Sequence, residues 1–147
     1  MNFKDLNIIP PIIKAVTNTG YTKATEIQYH TIPLILNGND VIGCAQTGTG
    51  KTASFAIPVL QLLHNNKETV KGIRTLILTP TRELAVQISE NFTTYGLFLN
   101  LKHLAIYGGV PQGKQIAALN KGVDILIATP GRLLDLVSQG CISLSQI

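Results

Sequence analysis

The stretch that most constrains this chain is Gly43-Cys44-Ala45-Gln46-Thr47-Gly48-Thr49-Gly50-Lys51-Thr52. A short apolar run, Asp40-Val41-Ile42, precedes it and predicts a buried strand, while Ala53-Ser54-Phe55-Ala56-Ile57 follows with helical composition. A strand, a glycine-rich turn and a helix opened by Lys-Thr make the layout of a phosphate-binding loop. Successive backbone N–H groups must wrap around an anion there, and only small residues let the main chain approach that closely. The helix N-terminus adds about half a positive charge at the same spot. In such a loop Lys51 reaches the β- and γ-phosphates, and the Thr52 hydroxyl holds Mg²⁺. Against the general pattern G-x-x-x-x-G-K-[ST], the first Gly position holds Ala45, the smallest residue with a Cβ. The bland reading is a Gly/Thr-rich turn with an incidental Lys; the strand-helix context favours the phosphate loop.

The 147 residues suit one domain with a real core, and a hydrophobic fraction of 45% against a charged fraction of 14% predicts largely buried strands. No apolar run approaches the roughly 20 residues of a membrane span, and Met1-Asn2-Phe3-Lys4-Asp5 does not resemble a secretory signal. Cys44 and Cys141 form no C-x-x-C pattern, and His30, His64 and His103 have no metal-ligand spacing. A cytoplasmic protein follows by default. The net charge of +4 permits a polyanionic partner without requiring one.

In chain order, Pro10 to Thr19 predicts a short helix with Pro at its start and Gly20 after its end. A second helix is expected from Glu26 to Leu36, with Thr25 and Gln28 forming a capping box and Pro33 a kink. The helix after the phosphate loop should reach about His64, leaving Asn65-Asn66-Lys67-Glu68 as a polar surface loop. Thereafter strands and helices alternate. Strands are expected at Thr75–Leu78, Leu104–Tyr107 and Asp124–Ala128, and helices at Glu83–Phe98, Gln112–Asn120 and Arg132–Ser138. Apolar strands alternating with helices imply a parallel sheet covered on both faces, with ligands at the carboxyl ends of its strands.

Two strand ends look like copies: Thr79-Pro80-Thr81-Arg82 and Thr129-Pro130-Gly131-Arg132. The chain has three arginines, and two of them occupy this one pattern. A Thr hydroxyl, free N–H groups at a helix N-terminus and a guanidinium on one rim suit phosphodiester oxygens. Alternatively, Thr-Pro only caps a helix, with Thr as N-cap and Pro at N1. Gly108-Gly109, ending the strand between the copies, would let a sugar-phosphate chain lie against the backbone.

Together these stretches resemble the first half of a DEAD-box RNA helicase core, over nearly the whole chain and in the family's order. Ala45 to Thr52 matches motif I, including its Ala. Pro80-Thr81-Arg82-Glu83-Leu84-Ala85 matches motif Ia, Gly108-Gly109 the GG motif, and Thr129-Pro130-Gly131-Arg132 motif Ib. Gly20-Tyr21 through Ile27-Gln28 resembles the Q motif, with Phe3 at the upstream aromatic position; Ala24 and Glu26 depart from the family's usual prolines. The resemblance implies residues 1–37 as a Q-motif helical region and 38–147 as a partial RecA-like ATP-binding domain, α/β with a parallel sheet flanked by helices.

ATP, Mg²⁺ and RNA are then the implied ligands. Gln28 would read adenine, whose amino group donates and whose N7 accepts, over guanine by roughly 1–3 kcal/mol. Tyr21 would stack on the base and Lys23 line its pocket. Gln46, Thr47, Gly48, Thr49 and Gly50 would cradle the phosphates. The family's next strand, Asp-Glu-Ala-Asp, is absent from the sequence, as is a second RecA-like domain. The implied activity is ATP-dependent RNA unwinding by a longer parent, with this piece inactive alone and prone to self-association through unpaired sheet edges. Rival readings are another P-loop ATPase or kinase, and a non-catalytic RNA- or protein-binding module.

Overall fold

The computed structural model describes residues 1–66 and 71–147. The chain forms two compact units: Met1–Lys67 with Asn91–Asn100, and Glu68–Glu90 with Leu101–Ile147.

The first unit is helical. A 3-10 turn at Phe3–Leu6, which sequence periodicity did not predict, buries both of its end residues. Helix α1, Pro10–Asn18, opens on prolines, whose missing N–H would have had no partner there anyway. Helix α2, Glu26–Leu36, carries the predicted capping box: Gln28 N donates to Thr25 Oγ1, and Thr25 N donates to Gln28 Oε1 at 3.0 Å. Helix α3, Lys51–Asn65, packs against α2. Ile32, Ala56, Ile57 and Leu60 are buried in this unit, each of the larger ones stabilising it by roughly 1.5–3 kcal/mol. Gln61 pins the incoming chain: its Oε1 accepts from Ile9 N at 2.9 Å and its Nε2 donates to Asn7 O at 2.8 Å. Asn65 belongs to α3, and Lys67 and Glu68 of the expected surface loop lie outside the described residues.

The expected strand Asp40-Val41-Ile42 does not form. The segment is irregular, and Ile42 is 96% exposed. Apolarity marks a segment that suits a sheet, but a strand exists only as part of a ladder, and no described residue pairs with this one.

The second unit is built on three parallel strands in the order β1-β3-β2: β1 Thr75–Leu78, β2 His103–Ile106 and β3 Ile125–Ala128. Ile125, Leu126, Ile127 and Ala128 are all buried, as a central strand with both faces covered requires. Register places Leu78 and Ile106 on either side of Ala128, so the three strands end level. At the opposite end Asp124 ties them together: its carboxylate meets Arg74 at 3.2 Å and accepts from Lys102 N at 2.9 Å, and its carbonyl accepts from Arg74 N and Thr75 N. Helices α4 Arg82–Tyr95, α5 Gly113–Asn120 and α6 Pro130–Ser138 follow their strands. Helix α4 stops at Tyr95, short of the predicted Phe98, because Gly96 is a poor helix former. Ile106, Leu126, Leu133 and Leu136 centre this unit's core.

Candidate nucleotide site and nucleic-acid interface

Residues Gln46, Thr47 and Gly48 are exposed at the turn before α3. Gly48 and Gly50 take φ of +83° and +80°, which would cost an L-residue roughly 1–2 kcal/mol. The Thr49 hydroxyl donates to Gln46 O at 2.7 Å and closes the turn. Lys51 folds back so that Nζ donates to the carbonyls of Ala45 and Gln46. An ammonium has three donors, so one remains for an anion in the loop. Thr52 is the second residue of α3 and half-buried. Among the described residues no three His, Cys, Asp or Glu side chains gather to hold a metal. A lone hydroxyl donor fits Mg²⁺ only as an ion carried chiefly by phosphate oxygens and water.

Gln28 is buried, at 6% exposure, and joins α2 to the loop. Its Oε1 accepts from Thr25 N, and its Nε2 donates to Gly50 O at 3.1 Å. A Cβ on Gly50 would collide with that Nε2, a second reason for glycine there. The side-chain amide keeps one lone pair and one N–H beyond these bonds. The capping role and a role toward a base are therefore compatible. Tyr21 is 61% exposed, whereas Phe3 is buried at 5%. The two border one cavity of about 210 Å³, so Phe3 acts first as a core residue. Lys23 is exposed, and its backbone bridges to Asn2.

At the level carboxyl ends of the strands in the second unit, the two copied turns and Gly108-Gly109 come together. The sheet ladder continues into both turns, Thr79 N donating to Ala128 O and Thr129 N to Ile106 O. The turns then diverge. In the first, Thr81 is the N-cap: its Oγ1 accepts from Leu84 N at 3.2 Å, and Arg82 is the first helical residue. In the second, Thr129 is the N-cap without a side-chain bond, and Pro130 begins the helix. Thr79 Oγ1 is buried and has no hydrogen-bond partner among the described residues. Pro80, Thr81, Pro130 and Gly131 are exposed.

Both guanidiniums border the loop after β2. A Cβ placed on Gly109, which has φ +80°, would lie 3.1 Å from Arg82 Nη1. Arg82 is 48% exposed at its side chain, and its one ion pair among the described residues is with the Glu83 carboxylate, at 3.9 Å. Arg132 is bound more firmly: Nη1 donates to Gln115 Oε1 and Nη2 to Val110 O, both at 3.0 Å. Gln115, buried on α5, donates in turn from Nε2 to Tyr107 O at 3.1 Å. Sequence reasoning missed Gln115. The available signal was a polar residue placed with Gln112, Ile116 and Leu119 on one helical stripe.

The DEAD/DEAH box helicase family model matches residues 25–147. The chain is 44% identical over 147 residues to a DEAD-box ATP-dependent RNA helicase CshA of Bacillus subtilis, spanning all of this chain and 29% of that protein. It is also 44% identical over 146 residues to an ATP-dependent RNA helicase DeaD of Mycobacterium tuberculosis, spanning 99% of this chain and 25% of that one. The crystal structure of a DEAD box protein from the hyperthermophile Methanococcus jannaschii superposes with a TM-score of 0.91 at 44% identity, over 100% of this chain and 39% of that one. Motif order, the loop geometry at Lys51 and these matches agree, and the chain belongs to the DEAD/DEAH box helicase family.

Proposed function

We propose that this chain carries the ATP-binding part and one stretch of the RNA track of a cytoplasmic ATP-dependent RNA helicase. The observation that carries this reading is the loop from Ala45 to Thr52, with two left-handed glycines, a Lys51 ammonium over the loop carbonyls and Gln28 bonded to Gly50. Residues 1–37 then supply the Q-motif region and 38–147 the ATP-binding domain proper. Backbone N–H groups of the loop and Lys51 hold the triphosphate, Gln28 reads the adenine edge, and Tyr21 covers the base. Thr52 would offer its hydroxyl to a Mg²⁺ ion arriving with the nucleotide, which would supply charge neutralisation at the phosphates. Pro80 to Arg82, Gly108-Gly109 and Thr129 to Arg132 follow the RNA backbone with little sequence preference.

Hydrolysis and unwinding need a water-positioning group and a charge clamp as well. We assign both to parts of the parent protein beyond this chain, including a second RecA-like domain. β1 and β2 are each paired on one side only among the described residues, and such edges invite self-association. Isothermal titration with Mg·ATP tests the reading. One-site binding that Lys51→Ala weakens by 10-fold or more, without RNA-stimulated phosphate release, is the expected result. Binding indifferent to Lys51→Ala would overturn it.

A further inference from the structure

We propose that Arg132 and Gln115 form a brace that sets the Gly108–Val110 loop, and that Arg82 alone supplies the guanidinium for an RNA phosphate. This rests on the RNA track proposed above and divides the labour within it. Arg132 Nη1 and Nη2 already hold two acceptors, Gln115 Oε1 and Val110 O. Gln115 Nε2 holds a third point, Tyr107 O. The three bonds fasten the chain on both sides of Gly108-Gly109 to α5 and α6. A planar fork with donors in fixed directions suits such two-point fastening. Arg82 differs: it makes no hydrogen bond among the described residues, stands 48% exposed, and lies beside Gly109 on the loop that the brace sets. A phosphate running over Gly108-Gly109 would therefore meet an unbonded guanidinium from α4, and from α6 one that spends two of its five N–H donors on holding the loop and α5. Arg132 and Gln115 are positioning residues in this scheme.

Salt dependence separates the two roles, because each phosphate contact to single-stranded RNA adds about 0.7 to the slope of log K against log salt. Binding of a fluorescein-labelled oligouridylate is measured across a salt series for the wild type, Arg82→Gln, Arg132→Gln, Arg132→Lys and Gln115→Leu. Hydrogen exchange at the amides of residues 107–110 is followed in parallel, without RNA. The brace predicts that Arg82→Gln flattens the slope by about 0.7 and leaves the exchange unchanged. Arg132→Gln and Gln115→Leu should weaken binding at unchanged slope and speed loop exchange at least tenfold. Arg132→Lys, which keeps the charge but not the fork, should not restore loop protection. The proposal is overturned if Arg132→Gln flattens the slope as Arg82→Gln does, if Arg132→Lys restores both readouts, or if loop exchange ignores Arg132 and Gln115. Salt-independent or absent RNA binding by the wild type removes the RNA reading, and with it the role assigned to Arg82, while the exchange data decide the brace.

Discussion

The turns after β1 and β3 share the pattern Thr-Pro-x-Arg at the same level of one sheet, yet they end as different devices. One residue decides it. Thr81 offers a side-chain acceptor for the Leu84 amide, so α4 begins after it and Arg82 is the first helical residue. Gly131 offers none, so α6 begins two positions earlier in the pattern, at Pro130, and Arg132 is its third residue. Arg82 thereby leaves its helix at the open end, whereas Arg132 sits where it reaches Gln115 and Val110. A shift of two residues in a helix start converts an available cation into a structural tie.

If that contrast holds, the two arginines differ most in stability. Arg132→Met should cost about 2–3 kcal/mol, since two charge-assisted bonds go and the Gln115 Oε1 acceptor is stranded in a buried setting. Arg82→Met should stay within about 0.5 kcal/mol, because an exposed group with one loose ion pair contributes little. Urea unfolding followed by circular dichroism reads both, and equal losses would break the comparison.

The caps should differ next. Thr81→Ala removes a real N-cap bond and is expected to cost about 1 kcal/mol. Thr129→Ala removes no such bond and should cost less than half as much. The same urea midpoints check this, and a reversed order would mean that the helix starts are misassigned.

Much of this was legible in the sequence wherever the cause is local. The Thr25/Gln28 capping box and the bounds of α2 follow from residues three apart, and Thr75–Leu78 is bounded by its own composition. What depends on distant partners was not legible. Asp40-Val41-Ile42 has strand composition, but nothing in its own residues says what would pair with it. Gln115 looked like an ordinary helical glutamine because its partners, Tyr107 and Arg132, lie 8 and 17 residues away. The two Thr-Pro-x-Arg copies read alike because the difference between Thr81 and Gly131 acts through helix register.

The smallest effect expected is a pH dependence away from the turns. Burial lowers the His103 pKa below its ordinary 6.5, opposed in part by a hydrogen bond to the Ser89 backbone. The unfolded chain then binds the proton more readily than the folded one, so stability should fall as pH drops below 6.5 toward the lower folded value. His103→Gln should flatten that fall between pH 7.5 and 5.5. His103 opens β2 at the end opposite Gly108, so the gap between Arg132→Met and Arg82→Met should persist at both pH values. A gap that closes on acidification would tie the two ends of the strand together.

The central claim, that the small-residue turn ahead of Lys51 is a nucleotide site tied to Gln28, is tested most directly by amide chemical-shift mapping during a Mg·ATP titration. The account predicts saturable shifts at residues 45–52 and at Gln28, with Mg·GTP needing a clearly higher concentration for the same change. Shifts elsewhere with a silent loop, or identical responses to ATP and GTP, would contradict it.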